Sequence, residues 1–136
     1  MRLYMLDTDT VSYLVRGRNP TLDSRVATVA PKHLCISAVT RSELLYSLKL
    51  KDGAHRLAQL IDQFLLRMQC LPWEEAAATH FASIAADLHK AGTPIGSMDA
   101  MIAGHAIAAS AVLVTHNVCH FSRVAGLTVE DWCREH

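Results

Sequence analysis

With 136 residues, of which 51% are hydrophobic and 19% charged, the chain can bury a genuine core and lacks the composition of a disordered or low-complexity segment. Its 13 Lys and Arg balance 13 Asp and Glu, which excludes a global basic field as the means of holding nucleic acid, so any such substrate has to be held by local features. Arg16 and Arg18 beside Gly17, and Arg41, are candidates for that role, although each reads equally well as solvated surface charge. The 4 cysteines, Cys35, Cys70, Cys119 and Cys133, form no CxxC pair, and no signal-peptide or membrane-length apolar run is present. Reduced thiols, a cytoplasmic location and no membrane association are expected.

In chain order, Leu3 to Leu6 is an apolar run that opens into Asp7-Thr8-Asp9-Thr10, as a buried strand does when its C-terminal end faces a polar crevice. Val11 to Val15 predicts a short helix ended by Gly17, Asn19 and Pro20, and Leu22 to Val29 a second one broken at Pro31. Leu34-Cys35-Ile36 reads as a strand, and Ser37 to Leu50 as a helix that Gly53 closes. Leu57, Leu60, Ile61, Phe64, Leu65 and Met68 then follow the helical period, which predicts a core-facing stripe. Cys70 and Leu71 are a short strand candidate before Pro72. Ala77, Phe81, Ile84, Ala85 and Leu88 give an amphipathic helix closed by Gly92 and Pro94. Ser97 is placed to cap a helix running to about Ala109. Ala111 to Val114 is a fourth apolar strand that ends in Thr115-His116-Asn117, and a last strand is expected near Leu127 to Val129, before Trp132. Short apolar strands separated by helices imply parallel pairing and a three-layer α/β/α sandwich. One domain over residues 1–136 is expected, without internal repeat or linker.

Open α/β sheets bind ligands beyond the carboxyl ends of their strands, so polar residues just after apolar strands are the ones to weigh. Asp7 follows the first strand and Asn117 the fourth; Glu43 lies about two turns into the helix after the second strand, and Asp99 in the first turn of the helix before the fourth. Gathered carboxylates repel one another and are tolerated mainly around divalent cations, which points to Mg²⁺ or Mn²⁺ and to hydrolysis of a phosphodiester. Each acid also has a plainer reading. Asp7 can cap the helix that follows, Thr40-Arg41-Ser42-Glu43 fits a capping box, and Asp99 complements a helix dipole.

Four segments carry a resemblance. Tyr4 to Asp9, Ser37 to Leu44, Gly92 to Asp99 with Ile102-Ala103, and Leu113 to Phe121 resemble the motifs of PIN-domain ribonucleases, in order and nearly end to end, and Val124 to Trp132 resembles the bacterial VapC toxin branch. The resemblance implies a PIN-like sandwich on a five-stranded parallel sheet that binds Mg²⁺ or Mn²⁺ and cleaves RNA. It assigns metal binding to Asp7, Glu43 and Asp99 and adds Thr115 and Asn117 to the catalytic crevice. Asn117 departs from the family's fourth acid and Asp9 from its commoner Asn; Asp9 is expected to start the helix rather than bind metal. The branch further implies a homodimer, transfer RNA (initiator tRNA foremost) as substrate, and a VapB-type antitoxin whose C-terminal segment fills the crevice and adjacent groove, often with an inserted Arg.

Two rival functions share some of these residues. Asp7-Thr8-Asp9-Thr10-Val11 also fits the aspartyl-phosphatase motif of haloacid-dehalogenase-like enzymes, with Asp7 as nucleophile, but Lys90 is poorly placed and His116-Asn117 stands where that family needs acids. A catalytically inactive PIN-like module that binds RNA or antitoxin is the other. Near the tail, His116, Cys119, His120, Cys133 and His136 are soft or borderline metal ligands in no recognisable zinc spacing; ordinary buried Cys and surface His are expected, and His116 is read as structural.

Overall fold

The structure is a computed structural model and describes residues 2–134. Strands β1 (Leu3–Leu6), β2 (Leu34–Ser37), β3 (Gln69–Leu71), β4 (Ala111–Val114) and β5 (Val129–Glu130) form one sheet in the order β3-β2-β1-β4-β5, with every neighbouring pair parallel. Parallel neighbours cannot be joined by tight turns, so helices carry the crossovers. Helices α1 (Thr8–Arg16) and α2 (Pro20–Thr28), then a 3₁₀ turn at Pro31–His33, lead from β1 to β2. Helices α3 (Ala38–Leu50) and α4 (His55–Arg67) lead to β3, α5 (Glu75–Lys90) and α6 (Ser97–Ala108) to β4, and the short α7 (Val118–Phe121) stands before β5.

The central strands β1, β2 and β4 are buried on both faces toward their carboxyl ends, and successive side chains alternate between two cores. Met5, Cys35 and Leu113 join Ile84, Leu88, Ile102, Ala103 and Ala106 of α5 and α6 on one side. Leu6, Ile36 and Val114 join Val11, Leu22, Leu44, Ile61 and Trp132 on the other. The expected three-layer α/β/α sandwich on a five-stranded parallel sheet is therefore present. The strand order runs outward from β1 to β3, then restarts across β1 with β4. That reversal opens a crevice at the carboxyl ends of β1 and β4, the place where such sheets bind ligands.

Several element boundaries differ from expectation for local reasons. Helix α1 begins at Thr8, because Asp7 itself is the N-cap and accepts from the Thr10 N–H. Ser37, the last residue of β2, caps α3 by accepting from the Val39 N–H, so Thr40 and Glu43 lie inside the helix and no capping box forms. Ser97 is the first residue of α6 and not its cap; Gly96 holds that position at φ 91, a left-handed conformation in which a Cβ is strained. The last strand is Val129–Glu130, and α7, a single turn with no periodicity to betray it, was not expected. The Leu57 to Met68 stripe is core at Ile61 only, with Leu57, Phe64, Leu65 and Met68 partly buried. The cause is position: α4 packs chiefly on α1 and α3, outside the sheet's own layer.

Helices α5 and α6 pack at backbone distance. A Cβ on Gly104 would sit 2.7 Å from the Phe81 nitrogen and 3.1 Å from the Ala77 carbonyl oxygen. Neither backbone atom can turn aside. Gly104→Ala is expected to lower the unfolding free energy by about 1–3 kcal/mol, the usual cost of overpacking, in a urea titration monitored by circular dichroism. An unchanged midpoint would show that the helices separate freely.

Candidate active site at the carboxyl ends of the central strands

Asp7 is the first residue beyond β1 and is buried to 4% exposure. Its backbone N–H continues the sheet by donating to the Val114 carbonyl at 3.0 Å. Its two carboxylate oxygens take different partners: Oδ1 accepts from the Thr10 N–H at 2.8 Å, and Oδ2 accepts from the Thr115 hydroxyl at 2.5 Å. Thr115, fully buried just beyond β4, also accepts from the Asn117 N–H at 3.0 Å, which fixes the turn that follows the strand. Asp7 and Thr115 thus close the topological reversal from either side.

Two helices bring the other acids. Glu43, half-buried in the second turn of α3, accepts a 2.6 Å hydrogen bond from the Thr8 hydroxyl, which also lies 3.3 Å from that of Thr40. Asp99, in the first turn of α6, pairs with His120 Nε2 at 3.0 Å. The same nitrogen lies 2.8 Å from the Ile95 carbonyl, which can only accept, so Nε2 carries a proton and donates to both. Helices α3 and α6 are tied together below the site: buried His105 of α6 holds the Ser37 hydroxyl, the cap of α3, at 2.7 Å.

Electrostatics shows how far the acids are gathered. Burial pushes the carboxyl of Asp7 upward, partly opposed by the hydrogen bonds from Thr115 and Thr10, and the charge of Asp9 adds to the rise. Burial likewise raises Glu43, with Asp99 and Asp9 pushing the same way. Asp99 is raised first by burial, is lowered by His120, and is raised again by Asp7 and Asp9. Asp7, Glu43 and Asp99 therefore share one field, and exposed Asp9, in the first turn of α1, contributes to it. Carboxyl groups held high by burial and mutual repulsion are relieved by a cation, and a donor set made only of oxygens suits a hard divalent ion that keeps some of its waters. The three are not packed into one tight cluster. Among the described residues, the group of three metal-competent side chains with ligand atoms all within 4.8 Å of one another is His116, Asp131 and Cys133.

The neighbouring surface has its own character. From Thr8, Asp9 and Glu43, a groove of about 720 Å³ runs between α1, α3 and α4, past Val15, Tyr46, Leu50 and Leu57 to Met98. Tyr46, Leu50 and Met98 are 65%, 66% and 47% exposed, an apolar wall leading to an acidic floor. At the far side of α1, Arg16 and Arg18 border a smaller hollow together with Arg56. Sequence reasoning named Arg16 and Arg18 and missed Arg56, which lies far from them in the chain. It also missed Thr8 and His120 as partners of Glu43 and Asp99, although Thr8 stands next to Asp7 and His120 falls inside the Leu113 to Phe121 segment. Arg41 is exposed on α3, and Asn117 is exposed in the turn after β4. His116 is bound to Asp131 at 3.1 Å, and His136 lies outside the described residues.

A family model described as the PIN domain matches residues 4–127. The tRNA(fMet)-specific endonuclease VapC of Salmonella typhimurium is 35% identical over 133 residues, covering 98% of this chain and 100% of that protein. The protein of the same name from Shigella flexneri is 37% identical over 132 residues, at 97% and 99% coverage. Among solved structures, that of DNA-bound VapBC from Salmonella typhimurium superposes with a TM-score of 0.90 at 34% identity, covering 98% of this chain and all of that one. VapBC-1 from nontypeable Haemophilus influenzae gives 0.86 at 33% identity, with 97% and 99% covered.

The raised carboxyl groups dictate a direction for stability. A buried acid whose folded pKa lies above its unfolded value keeps its proton longer in the folded state. Its contribution is therefore favourable in acid and is lost as pH rises from about 4 through the folded value. In metal-free protein, Asp7→Asn removes one such group, so the variant's unfolding free energy is expected to fall less steeply than wild type between about pH 4 and 7. Parallel slopes in urea titrations across that range would contradict the raised Asp7 carboxyl.

Proposed function

The chain belongs to the PIN-domain family, and from that premise we propose that it is a divalent-metal-dependent endoribonuclease toxin of the VapC type, cleaving transfer RNA and held inactive by a cognate antitoxin. The observation that carries the proposal is the shared field of Asp7, Glu43 and Asp99 at the reversal of the sheet. The relatives named as ribonucleases and endonucleases, matched over nearly their whole length, support the same reading.

In this reading Asp7, Glu43 and Asp99 hold Mg²⁺ or Mn²⁺. When bound, the ion supplies an attacking water of lowered pKa and a counter-charge for the leaving oxygen. The chain's own residues do the rest. Thr115 and the Thr10 N–H fix the Asp7 carboxylate, so its rotamer is set before substrate arrives. Thr8 and His120 hold Glu43 and Asp99 in the same way. Thr115 and Asn117 complete the crevice at the end of β4, where Asn117 offers an uncharged oxygen in place of a fourth acid. Arg16, Arg18 and Arg56 offer a local seat for the RNA backbone that the neutral net charge does not provide. Initiator tRNA is the proposed target, from the specificity in the names of the Salmonella and Shigella relatives.

The groove beside the acids suits the antitoxin. An extended or helical segment with apolar side chains would cover Tyr46, Leu50 and Met98, and an Arg at its end would meet the acids in bidentate fashion. The solved relatives are toxin–antitoxin complexes. We further propose a homodimer, a single nuclease domain over residues 1–136, and action in the cytoplasm; no helix among the described residues is long and apolar enough to cross a membrane. The phosphatase reading fares worse, because Lys90 is exposed at the C-terminal end of α5 and His116 and Asn117 stand where that reading needs acids. The inactive module would leave three raised carboxyl groups without a use.

Asp7→Asn and Asp99→Asn are each expected to reduce Mg²⁺-dependent cleavage of initiator tRNA by about 10²-fold or more while the far-ultraviolet spectrum is retained, since each removes charge and no volume. Equal rates for wild type and both variants would refute the metal site. For the groove, Tyr46→Asp and Leu50→Asp are expected to weaken antitoxin binding by about tenfold each in calorimetric titrations, as loss of an interface anchor does. Unchanged affinity would place the antitoxin elsewhere.

A further inference from the structure

The acidic crevice does not use the soft ligands near the tail. Two of them, His116 and Cys133, meet Asp131 where the turn after β4 faces the segment that leaves β5. We propose that His116, Asp131 and Cys133 form a second cation site at the rim of the crevice, suited to a borderline-soft divalent ion of the Zn²⁺ class.

The geometry is close to what such an ion requires. Zinc binds imidazole, carboxylate and thiolate at about 2.0–2.3 Å, so tetrahedral ligands lie about 3.3–3.8 Å from each other. His116 Nδ1 already lies 3.1 Å and 3.4 Å from the two Asp131 oxygens. The thiol of Cys133 falls within 4.8 Å of both partners, so a shift of about 1 Å completes the set. The Cys133 N–H donates to Asp131 Oδ1 at 2.9 Å, and this turn folds residue 133 back over residue 131 and orients the carboxylate. Arg134 touches Asp131 Oδ2 at 3.4 Å from a side chain that is 72% exposed, so it can swing into solvent when a cation takes that oxygen.

The donor set sets the selectivity. One nitrogen, one oxygen and one sulfur favour Zn²⁺ over Mg²⁺, which wants oxygen throughout. Binding involves no redox change: the imidazole moves its proton from Nδ1, where Asp131 accepts it in the metal-free chain, to Nε2 and gives the freed Nδ1 lone pair, the carboxylate gives an oxygen and the thiol its sulfur, while the thiol proton passes to water. The His116 side chain is 41% exposed, so an ion can reach it from solvent. Burial first, and then the charges of Asp131 and Asp7, push the Cys133 thiol up to about 11, so the ion has to displace the thiol proton, while the same two negative charges attract the ion. An ion there would pin the turn carrying Thr115 and Asn117 to the segment carrying Trp132.

The test uses Co²⁺ as a spectroscopic probe of the metal-free wild-type chain, with Mg²⁺ in large excess. The expected result is a thiolate-to-cobalt charge-transfer band saturating at one ion per chain, displaced by Zn²⁺, lost in Cys133→Ser and retained in Cys119→Ser. A measurement without mutation guards against a misfolded variant: Zn²⁺ at about ten times its Kd should slow alkylation of Cys133 by iodoacetamide about tenfold, read by mass spectrometry, while exposed Cys119 reacts unchanged. Absence of the band, its survival in Cys133→Ser, its displacement by Mg²⁺, or an unprotected Cys133 would each overturn the proposal.

Discussion

The molecule turns on one buried carboxylate. Asp7 stands where the central strand β1 ends, and its side chain is gripped from two directions, by the Thr10 N–H of the helix it starts and by the Thr115 hydroxyl at the end of the neighbouring strand. A carboxyl group taken out of water is costly unless hydrogen bonds or a counter-charge compensate it. Here the compensation is partial: the hydrogen bonds lower the carboxyl's pKa and burial outweighs them. That residual strain is what a cation would relieve. The positive end of α1, which Asp7 caps through the Thr10 N–H, adds a fixed field of the same sense.

The rest of the architecture serves to bring further charge to the same point. The sheet reverses between β1 and β4, and the crossovers that follow β2 and precede β4 bring α3 and α6 against each other beside Asp7. His105 and Ser37 lock those two helices together beneath the site, and the tight α5–α6 contact at Gly104 sets the level of the first turn of α6, where Asp99 sits. At the rim, the chain passes from acid to apolar surface within α3 itself, from Glu43 to Tyr46 and Leu50. A site for a polyanion and a covering site for a partner segment thus share one helix.

Strands and layers were legible in the sequence because apolar runs such as Leu3 to Leu6 and Ala111 to Val114 are short and continuous, as strands buried on both faces must be. The acids were legible as candidates because they follow those runs. Their mutual influence was not, since Asp7, Glu43 and Asp99 lie far apart in the chain and only the packing of α3 and α6 relates them. The capping-box reading of Thr40 to Glu43 failed because Ser37, three residues earlier, supplies the cap as the strand ends. The α4 stripe had the right period and the wrong depth, because periodicity reports which face is apolar and not what covers it. Thr8 and His120 escaped notice for a different reason: a hydroxyl or imidazole that orients an acid leaves no spacing rule behind. Trp132, at first only a residue near the end of the chain, proved to be core, lying against Tyr4 at 5.0 Å beneath the Arg25 guanidinium.

The most direct test of the shared cation is to see it. A crystal of the chain soaked in Mn²⁺ and measured at a wavelength where manganese scatters anomalously should show a peak in the crevice, ligated by Asp7 and Asp99 with Glu43 directly or through water. A map with no such peak at saturating manganese, or with its only peak remote from Asp7, would contradict the account.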